Sequence, residues 1–127
     1  MSGESAEPRN HAQAISNAMT RMHREHYGRG PESARTVLGH DHVICFLEGI
    51  YTPVERTLLE SDAVEAVRQT RLAFQRAMKT RFVETVEEIT GRNVRAFLSQ
   101  VTFDPDIAVE IFVLERDHAD PAPEGIS

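Results

Sequence analysis

A single cysteine, Cys45, rules out an internal disulfide and suits a reducing compartment. Long apolar runs are missing too, since nothing approaches the roughly 18 residues that a spanning helix needs. The opening MSGESAEPRN has neither a basic start nor an apolar stretch and does not read as a signal peptide. Positive charge is in deficit: 14 Lys and Arg stand against 20 Asp and Glu, a net charge of −6. That balance disfavours broad attraction to nucleic acid or anionic lipid. What remains is a chain of 127 residues, 40% hydrophobic and 27% charged, with the size and composition of one small soluble domain. A cytoplasmic location is expected.

Hydrophobic spacing divides the chain into helices and hairpins. Residues 1–10 are polar, contain Pro8 and read as a flexible lead that turns helical near the proline. Ala12, Ile15, Met19 and Met22 then recur at steps of three and four, which predicts an amphipathic helix ending at Tyr27-Gly28-Arg29-Gly30-Pro31. From Ser33 to Ile50 the composition favours strands around a Gly39-His40-Asp41 turn. The second strand is apolar on both faces, as an interior strand is. Thr52-Pro53-Val54-Glu55 predicts a capping box opening a short helix to Glu60. Asp62 and Glu65 suggest a second cap, with Val64, Val67, Phe74, Met78, Phe82 and Ile89 on one face of a long helix ending at Gly91. Such a helix runs about 42 Å, against roughly 36 Å for the diameter of a compact domain of this size. It must bend or be covered by a second subunit. Residues 93–103 and 107–115 flank Asp104-Pro105-Asp106 and predict a second hairpin, apolar on both faces. The expected fold is α+β: an antiparallel four-stranded sheet from two hairpins, with three helices, over residues 11–116. Residues 117–127 read as a flexible tail.

Few constellations carry chemistry. His23 and His26 lie one helical turn apart and His40 and His42 share a strand face, but each pair occupies an ordinary place for exposed histidine. No metal or cofactor is expected. Cys45, between Ile44 and Phe46, reads as a buried, inert thiol. Gly28 and Gly30 could form an anion nest, although helix termination also explains them. Arg68, Arg71, Arg76, Lys79 and Arg81 form a positive run without an intervening acid. It suits a solvated face or an acidic partner; nucleic acid is disfavoured, because interleaved aromatics are missing.

Arg71 is different because it falls within the apolar stripe, beside Val67, Phe74 and Met78. A guanidinium there needs an acceptor, and Glu48, Glu55 and Glu87 are the candidates. A structural ion pair is one reading, and a clamp for an anionic ligand is the other.

The ordered motifs Gly28-Arg29-Gly30-Pro31, Leu47-Glu48-Gly49, Thr52-Pro53-Val54-Glu55-Arg56-Thr57-Leu58, the Val67 to Arg71 segment, and Val86-Glu87-Glu88-Ile89-Thr90-Gly91-Arg92-Asn93-Val94 resemble the MpsC-like family. That family is named for a sodium-translocating, membrane-potential-generating system. The resemblance covers residues 12–115, with Val54 where the pattern usually has leucine and Tyr51 before Thr52 as mild departures. It implies a small soluble accessory protein of a membrane cation or inorganic-carbon transport system, and it brings no catalytic residues. Gly28, Gly30, Thr52, Glu55, Arg71 and Glu87 become the candidate partner or ligand residues. The expectation is a non-enzymatic accessory or regulatory module, homodimeric, cytoplasmic and peripheral to the membrane through a transport-protein partner. The alternative is a small-anion or metal-binding domain, or an enzyme, with a pocket around Arg71. Nucleic-acid binding ranks last.

Overall fold

In the computed structural model of the chain, residues 3–116 are described; the predicted tail, 117–127, lies outside them, as do Met1 and Ser2 of the lead. Helix α1 spans Gly3–Tyr27. It starts at Gly3, ahead of Pro8 rather than near it, and continues through Pro8, its sixth residue, which has no N–H to give the Glu4 carbonyl. Strands β1 (Ser33–Leu38) and β2 (His42–Glu48) follow. Helices α2 (Pro53–Glu60) and α3 (Val64–Thr90) come next, then strands β3 (Val94–Thr102) and β4 (Ile107–Leu114).

Each boundary has a local cause. Helix α2 opens on the predicted capping box: Thr52 Oγ1 accepts from the Glu55 N–H, and Glu55 Oε1 accepts from the Thr52 N–H. The predicted cap of α3 does not form, since its N-cap is Ala63, without a side-chain hydrogen bond. Asp62 instead takes φ 67°, the left-handed conformation that ends α2, where the Ala63 N–H returns to Leu58 O. At the far end, Gly91 closes α3 at φ 71°.

The strands form one antiparallel sheet in the order β1-β2-β4-β3, which places β2 in the interior. Val43, Cys45 and Leu47 of β2 and Ala108, Phe112 and Leu114 of β4 are buried on the side that meets the helices. Ile15, Met19 and Met22 from α1, and Val67, Phe74, Met78, Phe82 and Val86 from α3, complete that core. The alternate positions face outward: Ile44 and Phe46 of β2 and Val109, Ile111 and Val113 of β4 are only half-buried. Among the described residues the helices cover one face of the sheet and leave the other, also apolar, open.

Candidate functional site

Of the predicted residues, Gly28, Gly30, Thr52, Glu55 and Arg71 gather where the loop after β2 enters α2, and Glu87 stands apart at the start of β3. Arg71 reaches from α3 to Glu55 with two hydrogen bonds, Nε to Oε2 at 2.8 Å and Nη2 to Oε1 at 2.6 Å. A further one runs from Nη2 to Ile50 O at 2.8 Å. Its guanidinium carbon lies 4.0 Å from the centre of the Tyr27 ring and 5.1 Å from that of Tyr51, within cation–π range. Arg71 is 2% exposed and Glu55 7%. Of the three candidate acceptors, Glu55 is the partner. Exposed Glu48 accepts from the Ser33 hydroxyl, and Glu87 Oε2 accepts from the Val94 N–H, fixing the start of β3.

Burial works against a charge on Glu55. Hydrogen bonds from Arg71 and the Thr52 N–H, with the charge of Arg71, outweigh it and hold the carboxyl below its ordinary value. Burial also pushes the Tyr27 and Tyr51 phenols up to about 12, against the pull of Arg71.

The chemistry of this centre is backbone satisfaction. From Gly49 to Thr52 every main-chain N–H and C=O has a partner. Asp106 receives the Ile50 and Tyr51 N–H groups on its carboxylate and the Gly49 N–H on its carbonyl. Arg29 donates to the Gly49 and Tyr51 carbonyls, Arg71 to Ile50 O, and the Arg56 N–H to Thr52 O. The Tyr51 hydroxyl adds a bond to Thr102 O at 2.8 Å. Buried backbone groups demand such partners, so these side chains hold a crossing loop in one conformation. Gly28 and Gly30 belong to the same device. Gly28, at φ 79°, ends α1; at Gly30 a Cβ would stand 3.0 Å from Thr20 Cγ2, so this backbone passes close to α1. Arg29, between them, is thereby aimed at the loop.

Sequence reasoning missed three members. Asp106 read only as part of a turn. His23 read as solvated, yet it is buried on the Ile15/Met19/Met22 side of α1, stacked on Phe82 at 5.7 Å, with Nδ1–H donating to Met19 O. Burial drives its pKa down to about 4. Glu110 sits among the inward residues of β4, 1% exposed, opposite Cys45 on one side and Ser99 on the other. Its Oε2 and the Ser99 Oγ are buried without a hydrogen-bond partner among the described residues. Burial pushes this carboxyl up to about 7, with the charge of Arg71 pulling the other way. Burial likewise raises the Cys45 thiol to about 11. Among the described residues no three His, Cys, Asp or Glu side chains gather as a metal site would require.

Beside this core, α3 and β3 enclose an open groove of about 200 Å3, lined by Leu72, Gln75, Arg76, Lys79, Phe97 and Ser99. Arg76 and Lys79 are exposed. Two other members of the basic run are engaged, Arg68 with Glu65 and the Phe103 ring, and Arg81 with Glu25.

Fold and site together define a small α+β protein whose buried polar centre is part of its framework. The chain belongs to the family described as Na+-translocating membrane potential-generating system (MpsC), whose pattern matches residues 8–116. It is also similar to the uncharacterized protein YbcI of Bacillus subtilis (strain 168), 28% identical over 104 residues, covering 81% of this chain and 84% of that protein. No solved structure gives a significant match. Among the described residues no helix is long and apolar enough to cross a membrane.

Proposed function

We propose that this chain is a non-enzymatic accessory or regulatory module, homodimeric and cytoplasmic. It docks on a protein of a membrane cation or inorganic-carbon transport system and stays peripheral to the bilayer. The family description supports the association with a sodium-translocating system. The observation that carries the docking role is the division of labour among polar residues. Glu55, Arg71, Arg29 and Asp106 are consumed in holding the loop, whereas Arg76 and Lys79 stand exposed over the apolar Leu72 and Phe97. On a chain of net charge −6, a local basic rim over an apolar floor suits an acidic segment of a partner protein.

The competing pocket reading needs Arg71 free to meet an anion, and at 2% exposure its Nε and Nη2 donors serve Glu55 and Ile50. Nucleic-acid binding would draw on Arg68, Arg76 and Lys79 together, and Arg68 is ion-paired with Glu65 while the chain carries a net charge of −6.

The test is a photo-crosslinking residue in place of Lys79, in native cells, with mass spectrometric identification. The expected product is a membrane transport protein, and its capture should fall when Arg76→Glu is added. Capture of small-molecule enzymes alone, or of nothing, contradicts the reading.

A further inference from the structure

The strand register lays out the open face of the sheet as a grid. Taken across β1, β2, β4 and β3, one outward row reads Val37, Ile44, Ile111, Leu98, and the next reads Arg35, Phe46, Val109, Gln100. His42, Val113 and Ala96 lie beyond the first row; Ser33, Glu48, Ile107 and Thr102 lie beyond the second. The centre is therefore wholly apolar, Leu98 is 53% and Val37 40% exposed, and the charged groups Arg35 and Glu48 stand toward one end. Soluble chains rarely leave so continuous an apolar patch uncovered.

We infer that this face is covered by a second copy of the chain, sheet on sheet, about a two-fold axis running along the strands between β2 and β4. This deepens the homodimer of the proposed function and rests on that reading. Three properties of the face select the occupant. The first is self-complementarity: such an axis sets Val37 against Leu98, Ile44 against Ile111 and Phe46 against Val109 of the second copy. The second is charge. Arg35, whose guanidinium lies 4.4 Å from the centre of the Phe46 ring, comes opposite Gln100 and not opposite another cation. An axis across the strands would set Arg35 against the apolar Val37 of the other copy and desolvate it. Glu48 and His42 lie at the two ends of β2, so they stand at the rim of the packed faces. The third is area. Four strands spaced about 4.8 Å and roughly 25 Å long give a footprint near 480 Å2 per copy, so pairing buries on the order of 1,000 Å2 in total. That reaches the lower limit for a specific interface. An anionic bilayer is a poorer occupant for a chain of net charge −6.

Sedimentation equilibrium of the full chain across the micromolar range is expected to return a dimer. Ile111→Lys, at the centre of the grid, is expected to raise the dissociation constant at least about 100-fold with an unchanged circular dichroism spectrum. Leu98→Lys, on the exposed edge strand, keeps the test open should the first variant misfold, and a smaller rise is expected. Mixing a Val37→Cys chain with a Leu98→Cys chain under mild oxidation is expected to give a mixed disulfide dimer, because the axis brings those positions together. A monomer at all concentrations, a dimer indifferent to both lysines, or a dimer without the mixed disulfide overturns the inference. The Lys79 crosslink reports on a different surface. A monomer that still captures a transport protein leaves the docking role standing, and a dimer that captures nothing removes that role and keeps the interface.

Discussion

Arg71 Nη2 lies 2.6 Å from Glu55 Oε1, joining the third turn of α3 to the first turn of α2. The same carboxylate caps α2 through the Thr52 N–H, so one charged pair fixes a helix start, a helix packing and a loop together. Replacing Arg71 with methionine leaves Glu55 buried and Ile50 O without its donor. The expected loss in urea denaturation is about 3–5 kcal/mol. The double variant Glu55→Met with Arg71→Met is expected to lose less than Arg71→Met alone, because no charge is left unpaired. Equal losses would count against the pair as the cause.

Asp106 makes a second, smaller claim. Asp106→Ala withdraws the carboxylate from the Ile50 and Tyr51 amides and from Arg56, whose Nη2 lies 3.6 Å away. The expected cost is about 1–3 kcal/mol, the range for leaving buried donors unmet. A cost under a few tenths would mean that water replaces the carboxylate freely.

Glu110 and His23 should oppose each other as pH changes. The Glu110 carboxyl, raised from 4.5 to about 7, contributes stability that is full below pH 4.5 and lost as pH rises through 7. The His23 imidazole, lowered from 6.5 to about 4, contributes stability present above pH 6.5 and lost as pH falls through 4. In the native chain the two slopes partly cancel. Glu110→Gln removes the first, so the variant should lose stability on acidification from pH 6.5 to 4 more steeply than the native chain. The difference, on the order of a few kcal/mol across the window, is measurable by urea denaturation at a series of pH values. Parallel profiles would refute it.

Cys45 offers a kinetic readout. A buried thiol with its pKa pushed up to about 11 is neither ionised nor reachable in the native state. Labelling by a thiol reagent should be slow, accelerate with urea in step with unfolding, and run faster in Arg71→Met. Rapid labelling of the native chain would place Cys45 elsewhere.

The fold was largely legible because its signals are local. Thr52-Pro53-x-Glu55 marks the start of α2, Gly91 the end of α3, and β-branched runs around short turns the strands. Arg71 announced itself as a charge within an apolar stripe, but spacing could not choose among three glutamates, since the choice depends on how α2 packs against α3. Asp62 misled because one acid can cap the next helix or end the previous one, and it does the second. His23 misled because a helix end suggests exposure, while its spacing of four from Met19 places it on the core face. Glu110 was open to the same argument from alternation, between Ala108 and Phe112. Asp106 was not: its amide partners are 55 and 56 residues away in the chain.

Native mass spectrometry of the full chain, purified without added metal or chelator, tests the central claim most directly. An interaction module whose polar centre is structural predicts the mass of two chains and no bound species. A single-chain mass retaining a metal ion or a small anion would contradict it.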